Sequence, residues 1–369
     1  MKTRPCRRLQ NRGTPSFDLA AVVSCLTANE GQATTYHPFV DTPEQRIVLR
    51  HIDLLAGRFI QMTEPIAFLN GQFVPISQAA LSVFDLGIVA GASVTEMTRT
   101  FRHVPFRLSD HLNRLEQSLK LVSIDPRLSR EELVSICERV VSENRRLIPA
   151  DHDLGLIVFV TAGQNLTYLG LGELSRARTP SVCVHTFPLP FELWADRYET
   201  GLHLVTTAIG ALPDDVIDNR IKHRSRLHWH LADIQAKKIE PSAMAVLTDP
   251  DGSLTETATG NICVVDGSTI VTPSQHVLHG ISRDVVADLS TSLGLTFATA
   301  RVTPDELARA SEAFLTSTPH CMLPVTRFNN LPIGQGVPGP VFQRLISAWS
   351  KLVGLDVIEQ MRDGAKSRR

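Results

Sequence analysis

Apolar positions along this chain switch repeatedly between a repeat of two and a repeat of roughly 3.6, so strands should alternate with helices. Ile66-Ala67-Phe68-Leu69, the pair Asn70-Gly71 and Phe73-Val74 predict a hairpin, because Asn-Gly between apolar runs suits a two-residue turn. Residues 94–100 predict a strand. A helix starts at Ser109-Asp110, with Leu112, Leu115, Leu119 and Leu121 on one face, and a second covers 131–144. Residues 154–161 and 181–186 read as buried strands. A stretch rich in Pro and polar residues at 188–200 reads as a linker. Beyond it come a strand at 202–207 and an amphipathic helix opening at Lys222 and running to about 239. Strands follow at 243–247, 261–265 and 269–272. The chain closes with a helix from Ser282, a strand at 313–318 and a helix at 339–353. The pattern is that of an α+β chain in two parts, split near residue 195.

Residues 1–61 carry little periodicity and much Thr, Gln, Asn and Pro. They read as a poorly ordered extension or as the product of a start placed too far upstream, with the folded chain beginning at Met62. The alternative is a helical appendage at 43–60, where Val48, Leu49, Ile52 and Leu55 recur at helical spacing.

Composition narrows the function class. The chain has 369 residues, enough for two cores, and a net charge of −1, which gives no global field for nucleic acid or an anionic membrane. No apolar run reaches the length of a membrane span, and the basic first twelve residues lack a following signal-type stretch. Six cysteines are scattered without a C-x-x-C pair, which fits a cytoplasmic protein.

One set of polar residues answers the needs of a pyridoxal phosphate site. Such a site requires a lysine, a carboxylate facing the ring nitrogen, and an anion cup made from a helix N-terminus, hydroxyls and an arginine. Lys222 supplies the amine. Glu256 follows the Asp251-Gly252 turn and supplies the carboxylate. Ile281 and Ser282, after Gly280, open a helix; Thr318 ends a strand, and Arg114 lies on the first long helix.

Taken in order, these segments resemble the class IV aminotransferases, the fold-type IV pyridoxal phosphate enzymes. The matching stretches are Leu69-Asn70-Gly71, Gly91 to Glu96 with Arg99, Asp110 to Leu115, Ile221-Lys222, Leu254-Thr255-Glu256, Asn261-Ile262, Gly280 to Asp284 and Pro324-Val325. Each is weak alone, while their common order over residues 62–352 is specific. The resemblance implies a smaller N-terminal α/β domain over 62–194 and a larger C-terminal domain over 195–357 with a mixed, barrel-like sheet, followed by a disordered basic tail at 358–369. It implies Lys222 as the catalytic Schiff-base lysine, Glu256 at the pyridine nitrogen, and Arg114, Ile281, Ser282 and Thr318 around the phosphate. A serine at 282 replaces the usual threonine and keeps the hydroxyl. Glu96, Arg226 and Pro319 are the expected substrate residues. A homodimer is implied, with an amino acid and a 2-oxo acid as substrates, branched-chain-like or related.

The substrate-binding signatures of the best-known members are missing. Ala90, Leu156, Thr167 and Leu169 stand where branched-chain or D-amino acid enzymes carry tyrosine, arginine or histidine, and Leu227 replaces a tyrosine. The run Lys222-His223-Arg224-Ser225-Arg226-Leu227 is similar to aminodeoxychorismate lyase, which makes 4-aminobenzoate and pyruvate, whereas Glu96 matches amino-transferring members. A lyase and a non-catalytic member of the fold are therefore the alternatives. Arg224 and Arg226 read equally as solvated helix charges or as partners of an acidic substrate. Glu96 reads either as a pocket residue or as a structural partner of Arg99. Trp229 reads as core. His228 and His230 diverge on a helix and have no carboxylate or cysteine at ligand spacing, so no metal is expected.

Overall fold

The computed structural model describes residues 64–170 and 179–367. The expectations for residues 1–61 lie outside the described residues. In chain order the elements are β1 (Ile66–Leu69), β2 (Gln72–Pro75), α1 (Leu86–Val89), β3 (Ser93–Phe101), β4 (Val104–Pro105), α2 (Leu108–Leu121), α3 (Arg130–Asn144), β5 (Leu154–Thr161) and β6 (Ser181–Pro188). Then come α4 (Arg197–Thr200), β7 (Leu202–Thr206), α5 (Leu227–Ile239), β8 (Met244–Thr248), β9 (Leu254–Thr257), β10 (Asn261–Asp266) and β11 (Thr269–Pro273). The last group is α6 (Ile281–Ser292), β12 (Thr296–Ala300), α7 (Pro304–Arg309), β13 (Glu312–Ser317), β14 (Cys321–Phe328), β15 (Leu331–Pro332), α8 (Pro340–Val353) and α9 (Val357–Lys366).

The strands before β7 form one antiparallel sheet in the order β2-β1-β6-β5-β3-β4. Asn70 and Gly71 both take positive φ, 50° and 89°, as the Asn-Gly turn requires. Alternation divides the faces of this sheet. Leu154, Leu156, Val158 and Val160 of β5 and Val94 of β3 pack with Leu112, Leu115 and Leu119 of α2 and Ile136 and Val140 of α3. Thr95, Met97 and Ile157 turn the other way and line a cavity. Helix α3 begins with a capping box between Ser129 and Glu132.

The later strands form a mixed sheet that closes on itself. The ring runs β10-β13-β14-β7-β8-β9 and returns to β10 through the pair Asn261 and Glu256, with β11 and β12 as an extension and β15 on β14. This is the expected barrel-like sheet. Its core holds Ile262, Val264, Phe314, Leu315 and Leu323, covered by α6 and α8 through Val285, Val286, Phe342 and Leu345.

Two expectations are corrected. Helix α5 starts at Leu227, not Lys222. Residues 222–224 instead run extended along the start of β3: Thr95 N donates to Lys222 O at 2.8 Å and Arg224 N to Ser93 O at 3.1 Å. Strand pairing claims this backbone before helical bonds can. The expected disordered tail from 358 is helix α9 through Lys366. Val357, Met361 and Ala365 are buried, and a Cβ on Gly364 would stand 2.1 Å from the Phe191 ring. The hydrophobic spacing at 357, 361 and 365 gives one apolar face, and the stretch at 188–200 supplies its partners, since Leu189, Phe191, Ala195 and Tyr198 are all buried.

Candidate active site

A cavity of about 510 Å³ is lined by Lys222, Arg224 and Arg226, by Glu256 to Asn261, by Gly280, Ile281 and Ser282, and by Thr316 to Pro319. Thr95, Met97, Arg114, Ile157 and Leu278 complete its wall. Lys222, Arg114, Glu256, Ile281, Ser282, Thr318, Arg226 and Pro319, distant in sequence, therefore meet at one place.

Lys222 is fixed by its backbone. Its N–H donates to Ser118 Oγ of α2 at 3.1 Å, and its carbonyl accepts from β3. Burial, with Arg114 nearby, lowers its ammonium pKa from 10.5 to about 8. Glu256 sits on β9 with Oε2 accepting from Asn261 Nδ2 at 3.2 Å; Asn261 Nδ2 also donates to Leu278 O at 2.9 Å. Burial raises the Glu256 carboxyl from 4.5 to about 7. The cavity thus holds an amine that loses its proton readily and a carboxyl that burial makes reluctant to ionise.

The anion cup is built at the start of α6. Gly280 occupies the N-cap position and no side chain caps the helix, which leaves the first-turn N–H groups facing outward beside the Ser282 hydroxyl. Arg114 is buried next to it. Its Nε donates to Glu96 Oε2 at 2.9 Å, Nη2 to Glu96 Oε1 at 2.7 Å and Nη1 to His279 O at 2.7 Å. Thr316 Oγ1 is buried with no hydrogen-bond partner among the described residues, and Thr316 faces the same cavity. An orphaned hydroxyl, an uncapped helix end and a buried guanidinium in one cavity fit a phosphate-bearing cofactor.

Glu96 departs from its expected substrate role. Thr95 and Met97 on either side of it line the cavity, so strand alternation puts Glu96 on the α2 face. There it pairs with Arg114 and accepts from His111 Nδ1 at 2.9 Å. Burial alone would raise its carboxyl, but Arg114 and His111 hold it far below the carboxylate range. Arg99, the expected partner, is instead buried against Pro319 O (3.1 Å from Nη1) and Gln360 Oε1 (2.8 Å from Nη2). Arg226 donates to Ala258 O and lies 5.6 Å from the Trp229 ring. The contributions of Asn261, Ser118 and His111 are not assigned from sequence; Asn261 and His111 lie inside the matching motifs, while Ser118 carries no local signal.

Residues 93–328 match the family model for amino-transferase class IV. A D-alanine aminotransferase of Bacillus licheniformis is 31% identical over 281 residues, covering 76% of this chain and 94% of that protein. A Methanocaldococcus jannaschii protein, provisionally named a branched-chain-amino-acid aminotransferase, is 31% identical over 280 residues, covering 75% and 93%. The crystal structure of the T.th. branched-chain amino acid aminotransferase with pyridoxamine 5′-phosphate superposes with a TM-score of 0.71 at 27% identity, covering 79% of this chain and 95% of that one. With the family model spanning well over half of its residues, this chain belongs to the class IV aminotransferases.

Proposed function

We propose that this protein is a pyridoxal 5′-phosphate-dependent aminotransferase that moves an amino group between an amino acid and a 2-oxo acid, with Lys222 as the catalytic residue. The observation that carries the proposal is a lysine of lowered pKa sharing one cavity with the Glu256 carboxylate and the uncapped N-terminus of α6. Bound there, pyridoxal phosphate supplies an electron sink for the pair left when the substrate Cα–H bond breaks.

The chain's own groups divide the remaining work. The α6 amides at Ile281 and Ser282, the hydroxyls of Ser282 and Thr318, and Arg114 would hold the phosphate. Glu256 would face the ring nitrogen, its carboxylate oriented by the hydrogen bond from Asn261. Lys222 is the attachment point and, as a free amine, the base at the substrate Cα. A pKa near 8 leaves a usable neutral fraction at neutral pH. General base catalysis of this kind contributes on the order of 10² to 10⁴-fold. Glu96 acts behind the site by positioning Arg114. Arg226 and Pro319 line the substrate side.

Homodimer formation belongs to the same reading. It is supported by Leu227, Leu231 and Ile234, which form an exposed apolar stripe on α5. So do a division of the chain between 194 and 195 and a cytoplasmic location, the latter supported by the free, buried Cys137, Cys183, Cys263 and Cys321. The relatives named above differ in amino acid, D-alanine against branched-chain, and the substrate is proposed only as an amino acid of either kind.

The test is a half-reaction screen. Purified protein loaded with pyridoxal phosphate is mixed with L- and D-amino acids, and the cofactor absorbance and the 2-oxo acid product are followed. Conversion by at least one amino acid, reversed by a 2-oxo acid, is expected. Absence of conversion across the panel overturns the proposal, and steady pyruvate release from aminodeoxychorismate without an acceptor reassigns the site to lyase chemistry.

A further inference from the structure

Lys222, Arg224 and Arg226 lie two apart on a segment whose first part is extended, and all three line the cavity. With Arg114 they give it four cations against the single carboxylate of Glu256. These cations differ in what already engages them. Arg114 is buried and bound to Glu96. Lys222 is the proposed attachment point. Arg226 donates to Ala258 O and has Glu256 and Asp233 as its acidic neighbours. Arg224 is exposed, and among the described residues no carboxylate pairs with it.

Its side chain is nevertheless placed. The guanidinium carbon lies 4.7 Å from the centroid of the Phe159 ring, on β5 of the smaller sheet. A guanidinium laid on a ring keeps its N–H edge free for a planar, two-point partner. The facing wall supplies no competing cation: β3 and β5 present Thr95, Met97 and Ile157 to the cavity. The buried part of the cavity, with Arg114 and Ser282, is taken by the phosphate in the reading above, and Arg224 marks the part open to solvent, where substrate enters.

We propose that Arg224 binds the substrate carboxylate, so that the segment carrying the reactive lysine also carries the charge that selects amino acids and 2-oxo acids. The inference rests on the aminotransferase reading of the same cavity. Removing a charge-assisted, two-point contact should weaken carboxylate binding by roughly 10- to 100-fold.

The experiment titrates cofactor-loaded protein with a simple monocarboxylate, 4-methylvalerate, and with its uncharged amide, following the cofactor absorbance. Wild type, Arg224→Leu and Arg224→Lys are compared, with KM and kcat measured for whichever amino acid wild type converts. Arg224→Leu should raise the 4-methylvalerate dissociation constant and the amino acid KM by about 10- to 100-fold, leave amide binding and pyridoxal phosphate affinity unchanged, and be partly rescued by Arg224→Lys. Equal shifts for acid and amide, no shift for either, or no carboxylate binding by wild type overturns the inference. A wild type that binds the acid but converts no amino acid instead overturns the aminotransferase reading, so the two failures are distinct.

Discussion

Asn261 and Glu256 are joined twice. Their backbones pair to close the barrel, and the Asn261 side-chain amide donates to the Glu256 carboxylate at 3.2 Å. The carboxylate proposed to face the cofactor is thereby set by the same contact that completes the ring of strands.

Gly280 tests this coupling. A Cβ there would stand 2.0 Å from Asn261 Oδ1, so Gly280→Ala must push the amide off Glu256. We expect a loss of about 1–3 kcal/mol of stability from overpacking. We also expect pyridoxal phosphate affinity to fall by about tenfold, equivalent to ~1.4 kcal/mol. Thermal unfolding and cofactor titration check the two together.

Glu96 should matter although it does not line the candidate active-site cavity. Glu96→Ala leaves Arg114 and His111 buried without their partner, which costs about 3–5 kcal/mol. The paired carboxyl titrates below its ordinary value of 4.5, so the native state holds fewer protons than the unfolded chain in acid. Its contribution is therefore complete above about pH 4.5 and is lost as pH falls below that. Denaturant melts at several pH values should show the gap between wild type and Glu96→Gln shrinking on the acid side.

Cofactor loading should follow the Lys222 amine. The amine is the reactive form, and its pKa is lowered to about 8, chiefly by burial. The attachment rate in stopped-flow should rise about tenfold per pH unit below that value and level off above it. A rise continuing to pH 10.5, the ordinary lysine value, would show an unperturbed amine.

Helix α9 should be part of the folded core. Phe191 is fully buried and its ring meets the helix at Gly364. Phe191→Ala should cost about 3–5 kcal/mol in a denaturant melt. Removal of residues 357–369 should cost stability comparably, because Gln360 also ties Arg99 and Asp153 together at 2.8 and 2.7 Å.

The legible features are those with strong local patterning. The hairpin at Asn70-Gly71, the leucine face of α2 and the strand 154–161 follow from residue periodicity and turn chemistry alone. Arg114, Lys222, Glu256, Ile281 and Ser282, which line one cavity, lie in segments picked out by motif order, which preserves chemistry even where local pattern is mute. The features that sequence misplaces depend on partners far away along the chain. Lys222 resembles a helix start because apolar spacing continues through α5, yet β3 captures its backbone. Glu96 resembles a pocket residue because its motif is familiar, and only strand parity reveals that it faces α2. The end of the chain reads as unstructured because the apolar face of α9 is sparse and its partner Phe191 lies in a stretch that reads as linker.

The central claim is that Lys222 carries the chemistry. Borohydride reduction of pyridoxal phosphate-loaded protein, followed by peptide mapping, tests it most directly. We predict a stable cofactor adduct on the peptide containing Lys222, with Lys222→Ala acquiring no adduct and converting no amino acid. An adduct on a different lysine, or a Lys222→Ala protein that still forms 2-oxo acid, would contradict the account.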